Sequence, residues 1–321
     1  MGLCLTVATG QGLGYTGLPG ERVSPGSERS RETLELAGHT VRGMRGPFRR
    51  IVLNDPPALA PEPSESARAP HALGEDLPRR ALAALGAAAT SSGRIDYTRL
   101  RGSVEWARAV EAARALQRAP LAELVGRAAR LAFWINVYNA LALHGIVALG
   151  IRRSVHELPL FFSRVSYRVG GFLLSLDDIE HGILRGNRRR LFPPLRPFGR
   201  LDPRGALAVS EVDPRIHFAL NCGAQSCPPV GVYRAHAIDQ QLDLAAKNFV
   251  NQAVTLDGAG RLACSKIFRW YRADFERAGG LVPFLLRYLD DGPVRAAMFV
   301  NAAPRLRWTP YHWTLAHEPD E

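Results

Sequence analysis

The run from residue 119 to 149 constrains this chain most. It holds Leu121, Leu124, Val125, Leu131, Phe133, Trp134, Ile135, Val137, Leu141 and Leu143, spaced so that apolar side chains cover most faces of a helix. A helix apolar on nearly every side belongs inside a fold, with the other elements packed around it. Asn136, Asn139 and His144 interrupt the pattern. A buried amide is costly unless hydrogen-bonded. The two asparagines therefore either tie the helix to neighbouring backbone or orient a catalytic histidine or a substrate.

The surrounding segments divide into helices and two hairpins. Residues 76–90 and 103–117 repeat at helical spacing. Val165–Val169 and Phe172–Leu176 are extended runs joined by Gly170-Gly171, a tight-turn hairpin. Asp177 then precedes a helical run with Glu180 three residues on, an aspartate form of the capping box. Residues 185–204 carry seven arginines against one acid and are broken by prolines. They read as a solvated basic loop, the alternative being an anion-binding rim. Residues 215–222 alternate in a way that fits a strand with Ile216, Phe218 and Leu220 on one face, and equally a short buried helix. An amphipathic helix follows over 239–253, then a second hairpin, Val254–Leu256 and Arg261–Cys264, around Asp-Gly-Ala-Gly. Residues 265–278 read as one helix ending at Gly279-Gly280, with two short helices near 281–290 and 293–300. The expected class is α+β, helices around one small antiparallel sheet made from the two hairpins. A mainly helical bundle is the alternative.

Residues 1–72 differ in kind: they hold 10 Gly and 8 Pro and none of the five tryptophans. With so little to bury, they read as a disordered or low-complexity extension before a single globular domain over 73–321. Met1-Gly2-Leu3-Cys4 fits the myristoylation pattern only in outline. No basic start leads into an apolar stretch and no apolar run suggests a membrane span, so the expected location is the cytoplasm. The net charge is +11, which ordinarily raises nucleic acid as a partner. Of 41 basic residues only Lys247 and Lys266 are lysines. That skew reads as codon bias, so no specific nucleic-acid binding is expected. Partner, substrate and oligomeric state are not legible.

The residues suited to chemistry crowd together. His217, Cys222 and Cys227 recur at intervals of five. Zinc sites usually pair ligands two to four apart and need four of them. A structural zinc site would have to borrow His181, and no metal or cofactor is expected. Nucleophilic catalysis fits better: a thiolate needs an imidazole, and that imidazole needs a third group to orient it. Cys227, where the chain turns at Ser-Cys-Pro-Pro beside backbone N–H groups that could hold an oxyanion, is the preferred nucleophile. His181 is the preferred base and Glu180 or Asn139 its helper, with Cys222 and His217 supporting or competing. Lys266, Trp270, Tyr271 and Asp274 form a further polar-aromatic group that reads mainly as core.

Four blocks in order resemble one family, the uncharacterised domain of unknown function 547. They are Phe133-Trp134-Ile135-Asn136-Val137-Tyr138-Asn139, Leu174–Arg185 with its Glu180-His181-Gly182, Asp213–Pro228 with His217, Cys222 and Cys227, and Ser265–Phe275 with Trp270, Tyr271 and Asp274. The resemblance spans about residues 75–313 and carries no settled activity. The leading expectation from the residues is a cysteine-dependent hydrolase or acyltransferase, distantly papain-like or transglutaminase-like in logic. A non-catalytic binding module is the rival, and a Cys/His metal-supported structural domain the second.

Overall fold

The computed structural model describes residues 49–55, 69–88, 96–190, 193–257, 261–300 and 306–315. Strand β1 is Ile51–Val52. Helix α1 (Pro70–Ala87) packs against both α2 (Val104–Ala115, capped by the Ser103 hydroxyl) and α3 (Arg127–Ala148), and Trp106 of α2 meets the His144 ring of α3 edge-on. The apolar run thus becomes the central helix, but its first turns do not join it. Gly126 at φ 84 breaks the chain there, and Leu121–Glu123 is a separate 3-10 turn. By length and composition α3 is the one helix among the described residues that could cross a membrane, yet 89% of its most apolar window is buried inside the protein. Asn136 is fully buried, and its amide exchanges two hydrogen bonds with the backbone of Tyr233, at 2.8 and 2.9 Å. These satisfy the group whose burial would otherwise be costly.

The first hairpin forms as read. Strands β2 (Val165–Val169) and β3 (Phe172–Ser175) are antiparallel, with Gly170 and Gly171 both at positive φ in the turn. Helix α4, Ile238–Ala253, leads into β4 (Val254–Leu256), which pairs with β5 (Leu262–Ser265). Helices α5 (Lys266–Trp270), α6 (Arg272–Arg277), α7 (Leu281–Tyr288) and α8 (Pro293–Val300) follow, then β6, Arg307–Thr309. The two hairpins do not share a sheet. Each is widened by a short strand distant in sequence: β1 joins β2 in parallel, and β6 joins β5 in parallel. The fold is mixed helix and sheet, with two small three-stranded sheets in place of the single one expected.

Strand β1 lies inside the segment that reads as an extension. Ile51 is buried, and the fully buried Asn54 donates to the carbonyls of Ala113 and Arg168 and accepts from the Arg168 N–H. Short, proline-flanked and weakly patterned, this segment gave no strand signal. Apart from residues 49–55 and 69–72, the expected extension, including Cys4, lies outside the described residues. A chain beginning at residue 57 should therefore be less stable than one beginning at residue 46, by roughly 3–5 kcal/mol from one buried aliphatic and three buried hydrogen bonds. That corresponds to a melting point lower by on the order of 10 °C. Equal melting points would show that β1 contributes nothing.

The basic loop is also more than a solvated surface. Asp178 is fully buried, and Arg50, Arg204 and Arg190 approach its carboxylate at 2.7, 3.4 and 3.6 Å. Three guanidinium groups from distant segments thus offset one buried charge.

Besides a small cluster where α1 and α2 meet the end of α3, two larger apolar cores form among the described residues. One surrounds α3 and the first sheet. The other surrounds the second sheet and gathers Phe249, Phe268, Phe275 and Phe284 around Phe218. The segment 215–222 joins them as the helical alternative, a 3-10 helix over Pro214–Phe218 whose Asp213 side chain accepts from the Arg215 N–H. Ile216 enters the first core and Phe218 the second, which leaves His217 in the seam between them.

Candidate functional site

A cavity of about 450 Å³ occupies that seam. Tyr138, Phe161 and Phe162 face it from the side of the first core, Ile267, Trp270 and Tyr271 from the second, and Tyr311 and Trp313 from the C-terminal segment. Cys222, Cys227, His217, His181 and Glu180 all line it, together with Asp177. Asn139 does not. Its amide donates to the Ala219 carbonyl and accepts from the Asn221 N–H, so it holds the backbone leading into Cys222 and touches neither imidazole.

Glu180 and His181 reach the cavity through an unusual helix. Residues Asp178–Leu184 wind as a π-helix, with i to i+5 bonds from the Arg185 N–H to the Glu180 carbonyl and from the Asn187 N–H to the Gly182 carbonyl, both 2.8 Å. Gly182 lets the Phe198 ring lie against this helix: a Cβ there would stand 2.4 Å from that ring. The expected cap is displaced by two residues. Ser175 and Asp178 exchange side-chain and backbone bonds, while Glu180 takes the phenol hydroxyls of Tyr271 at 2.6 Å and Tyr138 at 3.2 Å. Glu180 is thereby a cavity wall, not a cap.

The two histidines are bound differently. Arg185 donates to His181 Nδ1 at 2.9 Å. A guanidinium only donates, so Nδ1 must accept and the ring proton sits on Nε2. Burial, and then the adjacent Arg185 charge, push the His181 pKa down to about 3. The lone pair that a general base needs is thus occupied, which argues against His181 in the role the sequence assigned to it. His217 lies flat on Tyr271, ring centroids 3.7 Å apart, and its Nε2 donates to Asp274 Oδ2 at 3.0 Å. That fixes the same tautomer as in His181, but among the described residues the Arg185 bond that occupies Nδ1 of His181 has no counterpart on Nδ1 of His217. Burial pushes the His217 pKa down, against the pull of Asp274. Burial likewise opposes the charge on Asp274, but hydrogen bonds from His217 and from Arg185, the latter at 2.6 Å, outweigh it and hold the carboxyl well below the usual range.

Asp274 and Arg185 are the residues that sequence reasoning passed over. Asp274 was grouped with core aromatics and Arg185 with the surface loop, yet they are 1% and 5% exposed and anchor both histidines. The break between α5 and α6 at Tyr271 follows from the same site. The residue leaves helical geometry where its ring stacks on His217 and its hydroxyl meets Glu180.

The cysteines form the opposite wall. Cys227 Sγ lies 3.1 Å from Cys222 Sγ and 3.1 Å from the Tyr311 hydroxyl, and it accepts from the Cys222 N–H at 3.3 Å. Both thiols are free. The bond from Cys222, aided by Tyr311 and opposed by burial, brings the Cys227 pKa down to about 7. Cys222 moves the other way, pushed well up by that same bond and by burial. Their loop is latched to the C-terminal segment: the N–H groups of Gln225 and Ser226 donate to the carbonyls of Thr314 and His312, and that of Cys227 to Ala224. The N–H groups expected to hold an oxyanion beside Cys227 are therefore taken. Among the described residues no hydrogen bond joins either histidine to either cysteine, and no group of three or more His, Cys, Asp or Glu side chains gathers as a metal would require.

Every residue put forward for catalysis from the sequence falls within 122–250, whereas Tyr271, Asp274 and Tyr311 lie beyond it. No curated protein and no solved structure matches the chain. Residues 122–250 do match a family model, that of the "Protein of unknown function, DUF547", so this central segment is similar to that family.

Proposed function

We propose that the protein is a cysteine-dependent acyl-transfer enzyme, a hydrolase or acyltransferase, with Cys227 as nucleophile and the His217–Asp274 pair as its acid–base group. The observation that carries this reading is the surroundings of the Cys227 sulfur. A backbone N–H, a phenol hydroxyl and a second thiol converge on it inside a ligand-sized cavity, and such donors favour the thiolate, the reactive form. The logic is distantly that of papain and transglutaminase enzymes, but here the thiolate is held by Cys222 and Tyr311 and not by a direct imidazole contact.

In this scheme Cys227 Sγ bonds to the carbonyl carbon of the substrate, and the carbonyl electron pair moves to oxygen. The Tyr311 hydroxyl is the nearest donor for that oxygen, since the loop N–H groups are engaged. Collapse expels the leaving group, which takes a proton, and water or a second acceptor releases the acyl group from sulfur. His217, neutral and fixed by Asp274, is suited to pass those protons through Nδ1. Aromatic rings and the carboxylates of Asp177 and Glu180 line the cavity, with no lysine or arginine among the lining residues. A neutral or cationic acyl substrate fits better than an anionic one.

The test is alkylation by iodoacetamide as a function of pH, read at Cys227 by peptide mapping. The thiolate fraction rises with pH through the thiol's pKa, so the rate should climb around pH 7 and level off above it. A midpoint near that of an ordinary thiol, or no reaction below denaturing conditions, overturns the reading and leaves a binding pocket in its place.

A further inference from the structure

Acyl transfer uses one sulfur, and this cavity presents two in contact. Cys222 has no role in the scheme beyond a hydrogen bond, and a serine or a backbone amide would serve that purpose. A second thiol at 3.1 Å differs from any such donor in one respect: it can form a covalent bond to its neighbour. A disulfide needs its sulfurs about 2.05 Å apart, so closure requires roughly one ångström of approach. Both sulfurs sit in one short loop closed by Gly223 at φ +83, where a Cβ would strike Ile146, and by the Asn221 amide, which grips the Gly223 N–H and the Pro228 carbonyl.

We infer that Cys222 and Cys227 are a two-electron dithiol couple that undergoes exchange with small disulfides entering the cavity, Cys227 attacking and Cys222 resolving. In the first step the Cys227 thiolate bonds to one sulfur of the incoming disulfide. The S–S bond of that molecule breaks, and one thiolate departs and takes a proton. In the second step Cys222 loses its proton to solvent, its sulfur bonds to Cys227 Sγ, and the second thiolate departs and is protonated. The pair gives up two electrons and two protons, and the small disulfide becomes two thiols.

The order of attack follows from the surroundings of each sulfur. The donors converge on Cys227, whereas the hydrogen bond to Cys227 is the first cause that keeps Cys222 protonated. Once Cys227 is capped as a mixed disulfide, it is no longer an anion, that cause disappears, and Cys222 is released to resolve it. The inference shares Cys227 with the acyl-transfer reading but does not depend on any acyl substrate.

Both cysteines fall in a single tryptic peptide, residues 216–234, since no lysine or arginine lies between Arg215 and Arg234. Full-length protein is incubated with oxidised glutathione and that peptide is weighed without reduction. Wild type should lose two hydrogens and retain no glutathione. Cys222→Ser should retain glutathione on Cys227 at a level about tenfold above wild type, because nothing resolves it. Cys227→Ser should leave Cys222 almost unmodified. A wild type that keeps glutathione on Cys227 as fully as Cys222→Ser does overturns the couple. So does a peptide left unchanged by glutathione whose Cys227 still reacts with iodoacetamide. The alkylation profile of Cys222→Ser separates the two readings: with normal Cys227 reactivity and no disulfide in the wild type, acyl transfer stands and the couple falls.

Discussion

Asp274→Ala is expected to lower the unfolding free energy by about 3–5 kcal/mol, the cost of removing one partner from a buried ion pair. The carboxylate is 1% exposed and holds both the Arg185 guanidinium, itself 5% exposed, and the His217 imidazole. Alanine leaves Arg185 charged and buried with His181, the Arg189 carbonyl and the Tyr271 ring as partners, none of them an anion in contact. Against a total stability of roughly 5–15 kcal/mol, the loss is large enough to read by urea titration at neutral pH. A cost below about 1 kcal/mol would show that Arg185 finds water or another partner. The pH dependence of the same cluster has a defined sign. His181 takes a proton at its ordinary pKa of 6.5 when unfolded but only near pH 3 when folded. Between those values the unfolded chain binds the extra proton, so stability falls as pH drops through that window. His181→Gln should flatten that part of the profile.

Cys227→Ser is expected to abolish both iodoacetamide labelling of the 216–234 peptide and any acyl adduct there, while shifting stability by no more than about 1 kcal/mol, as a near-isosteric change at a partly exposed position should. Tyr311→Phe is the more discriminating substitution. It keeps the ring that packs on Trp270 and Trp313 but removes the hydroxyl that lies 3.1 Å from the sulfur. The alkylation midpoint should then move to higher pH. A midpoint unchanged in Tyr311→Phe would assign the thiolate to Cys222 and the backbone alone.

What could be read from the chain beforehand was what lies close along it. The central helix, the Gly-Gly hairpin, the helix over 239–253 and the crowding of His217, Cys222 and Cys227 all rest on spacing, and spacing is local. What could not be read was pairing across long separations. Asp274 meets His217 from 57 residues away and Arg185 from 89, and Tyr311 meets Cys227 from 84. No periodicity encodes such partners. The same limit explains the sheets: a hairpin announces itself through its turn, while β1 and β6 are two and three residues long and pair in parallel with strands far away in sequence. Glu180 shows a subtler failure. Its position three residues after Asp177 matches a capping pattern, but the π-helical winding moved the cap to Ser175 and Asp178 and freed Glu180 for the phenols of Tyr138 and Tyr271.

The 3-10 helix over Pro214–Phe218 gives the molecule a line of least resistance. Ile216 and Phe218 each belong to a different core, so a sub-global opening that separates the cores must run through His217 and the cavity. Amide hydrogens of the latch between residues 224–226 and 312–315 would then exchange sooner than those of either core. A ligand gripping both walls would slow them in proportion to how tightly it binds, so the breathing of the seam becomes a meter of occupancy that needs no knowledge of the reaction.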